Sequence, residues 1–137
     1  GNDRQNQEIQ KIVNTSNLDK NITLLGERDD ISNILSALDI FAMPSKGEAF
    51  PVSLCEAMAC EVPCLATNVG DVQFILGDIL QAIDITKFEL FPQAILELGS
   101  MAPKLRKKLG EKLKKRVLDN FSIDIVAKSH IELYEEI

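Results

Sequence analysis

The sequence predicts an α/β fold, a Rossmann-like parallel sheet flanked by helices. Three observations carry that expectation. Short apolar runs alternate with segments of helical periodicity along the whole chain, the mark of strands joined by helical crossovers. The runs end at strand-stopping residues, Gly26 after 22–25 and Pro44 after 39–43. A chain of 137 residues, 45% of them apolar, is long enough for one domain with a core.

The elements follow in order. A helix is expected over about 5–16, where Ile9, Ile12 and Val13 fall at helical spacing. A strand over 22–25 ends at Gly26. Asp30 then caps a short helix that turns Ile31, Ile34, Leu35 and Leu38 inward. A second strand covers 39–43, and a helix of about 52–60 opens near Pro51. A buried strand at 64–67, a short helix near 71–76 and a strand around 80–83 come next. Two helices share 88–118 with a break near Gly99-Ser100, and a closing helix spans about 123–136. Repeats, low-complexity tracts and flexible linkers are absent from the sequence, so the chain reads as a single domain, 1–137.

Composition narrows the function. A net charge of −6 and a pI near 4.8 argue against a nucleic-acid partner, which requires a basic face. No apolar run approaches a transmembrane length, and no signal peptide is visible. Cys55, Cys60 and Cys64 are an odd number, spaced unlike zinc ligands and far from His130; buried thiols in a reducing cytoplasm fit them better. The run Lys104–Arg116 holds eight of the fifteen basic residues and has two readings. One is a patch for a membrane surface. The other is a solvated helix face, favoured because Leu105, Leu109, Leu113 and Val117 recur every four residues.

The segment Gly47–Cys60 carries the chemistry. Pro51 suits the first helical position, which leaves Glu48 in a loop and Glu56 on the second turn of a helix. Between the two carboxylates, the N–H groups of Val52, Ser53 and Leu54 emerge at the positive end of the helix dipole. The arrangement is an anion site with a hydroxyl-seeking carboxylate on each side, which suits a diphosphate between a sugar and a ribose. Its place is also right: ligands of open parallel sheets bind beyond the carboxyl ends of strands. The loops 26–29, 45–51 and 68–71 leave such ends.

These residues resemble a known family. Pro44-Ser45-x-x-Glu48-x-Phe50-Pro51, Glu56-Ala57-Met58-Ala59-Cys60 and Val62-Pro63-Cys64-Leu65-Ala66-Thr67 look like the donor-binding half of GT-B glycosyltransferases. The group they resemble is the retaining family 4 class, also called glycosyl transferases group 1. The likeness extends upstream through Ile22–Gly26 and Asp30–Ile40, and downstream through Val69-Gly70-Asp71 and Asn120-Phe121-Ser122, covering nearly the whole chain. It implies the C-terminal half of a GT-B fold and a nucleotide-diphosphate sugar as donor. Glu48 is then the catalytic residue, binding the sugar hydroxyls and stabilising charge as the bond to phosphate breaks. Glu56 takes the ribose hydroxyls. Ser45, Gly47, Phe50, Val52 and Ser53 contact the sugar and distal phosphate, and the loop Gly26–Arg28 borders the base. No metal and no separate cofactor is implied. The acceptor is a cell-surface glycan or glycolipid, and the full enzyme is cytoplasmic or peripheral to the membrane.

Four departures from the family pattern stand out. Ala49 and Glu61 occupy usual glycine positions, and Phe74 stands where many relatives carry a glutamate. The Gly-Arg pair and lysine that hold the diphosphate have no counterpart, nor has the acceptor domain. The expectation is therefore a fragment, inactive alone, with an exposed edge at 39–43 that pairs with 22–25 or with a second copy. Two other functions share the architecture, a sugar-nucleotide epimerase and a receiver-like regulatory module. The second would need aspartates clustered at strand ends and a lysine ending a later strand, which this sequence lacks.

Overall fold

In the computed structural model, residues 3–18 and 20–135 are described. The chain divides into two compact units, Gly1–Ile31 and Ser32–Ile137. In the first unit, helix α1 (Asp3–Thr15) buries Val13, while Ile9 and Ile12 remain exposed. The Thr15 hydroxyl donates back to the carbonyls of Lys11 and Ile12 at its C-terminal end.

The expected strand at 22–25 is not one. These residues form no ladder among the described residues, and Ile22, Leu24 and Leu25 are exposed. Their composition suits a strand, but a strand exists only through its neighbour's hydrogen bonds. The pairing of 22–25 with 39–43 is accordingly absent, and the second strand has a different partner. Asp30 is engaged elsewhere as well: both its carboxylate oxygens accept from Arg28, at 2.7 Å each. Helix α2 (Ile31–Ser36) follows and turns Leu35 inward, with Ile31 and Leu38 exposed.

The second unit contains a parallel sheet. Strand β1 (Phe41–Met43) pairs with β2 (Cys64–Asn68) in the register Phe41 to Cys64, and β2 pairs with β3 (Ile83–Asp84) from Thr67 to Ile83. The order β1-β2-β3 places β2 in the middle. Alternation along β2 sends Cys64 and Ala66 to one face and Leu65 to the other. On the first face lie α3 (Val52–Ala59), α4 (Val72–Leu76) and α6 (Pro103–Phe121), with Leu54, Met58, Ile75 and Leu113 fully buried. On the second face, α5 (Phe91–Ser100) brings Phe91 and Leu98 against Leu65. A 3-10 segment, Ile85–Leu90, joins β3 to α5, and α7 (Ile123–Glu135) closes the described chain.

Boundaries shift where local chemistry overrides periodicity. The strand expected around 80–83 is the two-residue β3, because the Gln73 side chain occupies the backbone before it. Its amide donates to the carbonyls of Gly77 and Leu80, and its Oε1 accepts from the Ala82 N–H. The break between α5 and α6 falls at Met101-Ala102, where Pro103 opens the next helix, rather than at Gly99-Ser100. On α6, Leu105 is exposed, outside the expected inward stripe, but Leu109 is partly buried, Leu113 and Val117 are buried and Lys115 is exposed, as a solvated basic face requires. Arg116 departs from it by reaching across to α4.

Glu61 sits at φ 61°, in the left-handed region that favours glycine. Its carboxylate meets Lys114 at 2.9 Å, and its carbonyl lies against Gly110 of α6. A β-carbon at residue 110 would overlap that carbonyl oxygen. Gly110→Ala should therefore destabilise the protein by about 1–3 kcal/mol, despite alanine's better helix propensity. Urea unfolding would show a lower midpoint at unchanged slope.

Burial also controls the thiols. Cys64 is buried and its thiol is pushed up to about 12, by desolvation first and by nearby Cys55 second. Half-buried Cys55 is also raised, by desolvation and then by Glu56. An unfolded thiol ionises near 9.0, so above that pH the unfolded chain loses a proton from Cys64 that the fold retains. The contribution of Cys64 to stability then falls as pH rises from 9 toward 12. Iodoacetamide at pH 8 should leave Cys64 unmodified until denaturant is added, as read by peptide mass spectrometry.

Candidate functional site

The loop between β1 and α3 gathers most of the predicted site. Pro44 stops β1, and the chain turns through Ser45, Lys46, Gly47, Glu48, Ala49 and Phe50 before α3 begins. Helix α3 starts at Val52, so Pro51 is its N-cap (φ −74°, ψ 97°) and not the first helical residue. Pro51 has no side-chain oxygen to cap with, but its carbonyl accepts the Leu54 N–H at 3.1 Å. Helix geometry leaves the N–H groups of Val52 and Ser53 without intrahelical acceptors, at the dipole's positive end. The Ser53 hydroxyl lies 3.8 Å from the Met43 sulfur.

The Ser45 hydroxyl donates to Glu48 Oε1 at 2.7 Å, fixing the carboxylate within its own loop. Both residues lie at the surface, Glu48 exposed and Ser45 partly so. Glu56 is exposed on α3, and among the described residues it forms no ion pair. Gly47 has open space around its α-carbon. Phe50 is 41% exposed and its ring packs edge-on against Phe121, with centroids 5.6 Å apart.

Gly26 and Arg28 belong to the first unit. Gly26 adopts φ 67° with open space around it, a conformation that glycine takes readily. The Arg28 guanidinium is bound bidentately by Asp30. That contact raises the Arg28 pKa and lowers that of Asp30. Thus Ser45, Gly47, Glu48, Phe50, Val52, Ser53 and Glu56 lie on one continuous loop and helix start, while Gly26 and Arg28 lie on a separate unit.

Three residues support the loop without having been expected there. Thr67 is fully buried, and its hydroxyl lies 2.5 Å from the carbonyl oxygen of Ser45 and 3.5 Å from that of Met43. The Asp71 N–H donates to the carbonyl of Ala49 at 2.9 Å. Gly70, at φ 53°, lies against the backbone of Glu48 and Ala49; a β-carbon there would overlap the Glu48 carbonyl oxygen. One signal was available for Thr67: it is the polar residue in a buried strand, and buried hydroxyls find acceptors. Gly70 gave no comparable signal, because its neighbours are distant in sequence. Beside this loop, a cavity of about 400 Å³ is lined by Pro44, Lys46, Ile85 and Phe88, beyond the ends of β1 and β3.

Residues 1–100 match the family model described as Glycosyl transferases group 1. The chain belongs to that family. It is 26% identical over 134 residues to the N-acetyl-alpha-D-glucosaminyl L-malate synthase of Bacillus anthracis, covering 94% of this chain and 34% of that protein. It is 36% identical over 77 residues to the Escherichia coli UDP-Gal:alpha-D-GlcNAc-diphosphoundecaprenol alpha-1,3-galactosyltransferase, covering 53% of this chain and 20% of that protein. The sucrose-phosphate synthase of Thermosynechococcus elongatus superposes with a TM-score of 0.80 at 26% identity, over 97% of this chain and 34% of that one. The C-terminal domain of a glycosyl transferase group 1 protein from Francisella tularensis gives 0.68 at 25% identity, over 88% of this chain and 64% of that domain. The fold is that of GT-B C-terminal domains, as the sequence predicted. The chain spans about a third of the Bacillus anthracis relative and a fifth of the Escherichia coli one.

The Thr67 contact is testable by a near-isosteric change. Thr67→Val removes the hydroxyl at Ser45 while keeping the shape of the side chain. The expected loss is about 1–3 kcal/mol, the cost of leaving the carbonyl without its donor. Urea unfolding would measure the loss, and amide shifts at Lys46–Glu48 would show the loop moving.

Proposed function

We propose that this chain binds the donor in a retaining glycosyltransferase of the family 4 class. Its substrate is a nucleotide-diphosphate sugar, and the acceptor is a cell-surface glycan or glycolipid reached through another domain. The observation that carries the reading is the Ser45–Glu48 hydrogen bond, set one short loop before the open N-terminus of α3. It presents an oriented carboxylate beside an anion-binding helix start, where a sugar joined to phosphate has both its groups met.

In this reading, Glu48 accepts from the sugar hydroxyls and stabilises positive charge on the sugar ring as the bond to phosphate breaks. The N–H groups of Val52 and Ser53 stabilise the departing diphosphate electrostatically. Glu56, one turn along α3, accepts from the ribose. Phe50 and Gly47 bound the sugar. The chemistry draws on no metal. The Escherichia coli relative, named for a UDP-galactose donor and a diphosphoundecaprenol acceptor, supports both donor and acceptor; the Bacillus anthracis one, named a glucosaminyl malate synthase, supports the sugar alone. A cytoplasmic or membrane-peripheral site for the whole enzyme accords with a lipid-linked acceptor like that of the Escherichia coli relative.

Titration of the chain with UDP, GDP and ADP should shift amides of residues 45–53. Shifts confined to positions outside the loops 26–29, 45–53 and 68–71 would sink the reading. Glu56→Ala should weaken nucleoside diphosphate binding about ten- to hundred-fold, from the loss of hydrogen bonds to a charged group. Pyrophosphate, which lacks the ribose, should bind the variant as well as it binds the parent. In an active enzyme carrying this chain, Glu48→Ala should depress kcat more than Glu56→Ala, which removes mainly uniform binding. Equal kcat losses would contradict the two roles.

A further inference from the structure

We infer that Phe121 is a positioning residue for the Glu48 loop, holding it through Phe50. Its functional consequence rests on the donor reading above. Phe121 is the last residue of α6, and its ring meets two others edge-on: Phe50 of the loop at 5.6 Å and 68°, and Phe74 of α4 at 5.6 Å and 71°. One ring thus ties the loop to the helix on its far side.

The ring is itself held. The guanidinium of Arg116, five residues earlier on α6, lies 6.0 Å from its centroid. That guanidinium is fixed from the other side, donating to the carbonyl of Ile75 at 2.6 Å and to that of Phe74 at 2.5 Å. Space for it comes from Gly77, where a β-carbon would fall 2.5 Å from Arg116 Cζ. The C-terminal end of α4, Arg116 and Phe121 therefore form one assembly, and Phe50 leans on it.

The loop's other attachments stop short of Phe50. The hydroxyl of Thr67 holds Ser45, and Gly70 with the Asp71 N–H holds the backbone of Glu48 and Ala49. Those contacts fix where the loop runs. The Phe50 ring, between Ala49 and the Pro51 cap, fixes how the chain enters α3, and with it the relation of Glu48 to the N–H groups of Val52 and Ser53. The aromatic residue at position 74 completes this packing.

The test compares four chains by amide shifts, thermal midpoint and UDP titration: the parent, Phe121→Leu, Phe121→Tyr and Val117→Ala. Leucine keeps apolar bulk but loses the ring edge, and tyrosine keeps the ring. Val117→Ala opens the buried core one turn away on the same helix. The expected result is that Phe121→Leu moves the amides of Gly47–Ser53 while those of Ala57 and Leu65, outside that assembly, stay. It should weaken UDP binding roughly three- to ten-fold, in keeping with loss of aromatic pairs. Phe121→Tyr should restore both. Loop amides unchanged in Phe121→Leu, or shifted no more than in Val117→Ala at matched loss of stability, would overturn the inference. If UDP perturbs no loop in the parent, the donor reading fails, and the ligand-free amide comparison still decides the role of Phe121.

Discussion

Everything in the second unit depends on burying β2 from both faces. Cys64 through Thr67 are all buried, and β2 has a hydrogen-bonded neighbour on each edge. A strand buried over Cys64–Thr67 has little access to water, so its backbone and side-chain polar groups there must be satisfied within the protein. The ladder is formed with β1 and β3, and the buried polar side chain, Thr67, is satisfied by the carbonyls of Ser45 and Met43. The hydroxyl that meets the strand's own need also anchors the loop that carries Glu48. Core and site are thereby joined in one residue.

Much of the fold was legible because parallel sheets write a simple pattern. Strand β2 and helices α3, α4 and α6 were visible from apolar runs and four-residue spacing, since tertiary packing reinforced local periodicity there. What failed was what depends on partners. Residues 22–25 have the composition of a strand without the ladder that would make them one. The segment before β3 was misplaced because Gln73, from the preceding helix, takes its backbone groups. No window of neighbouring residues contains that information.

The site was legible for a different reason. Glu48, Pro51 and Glu56 lie within nine consecutive residues, so their relation follows from one loop and one helix. Gly26 and Arg28 were assigned by resemblance alone, and Arg28 proves to be bound by Asp30 two residues on. The supports came from residues 67, 70 and 121, whose relation to the loop is created only by folding. Sequence order shows the groups that could meet a ligand more readily than those that hold them still.

The contact between Gly110 and Glu61 bears on that support. Residues eleven apart on an α-helix return to nearly the same face after three turns, about 16 Å along the axis. Gly110 and Phe121 are so related. The face of α6 that seats against the left-handed turn at Glu61 is therefore the face that delivers a ring to Phe50. Because a rigid helix transmits rotation and sliding along its whole length, the close seat of Gly110 on the Glu61 carbonyl acts as the fulcrum of a lever. A side chain added at that distant fulcrum would be felt at the Glu48 loop.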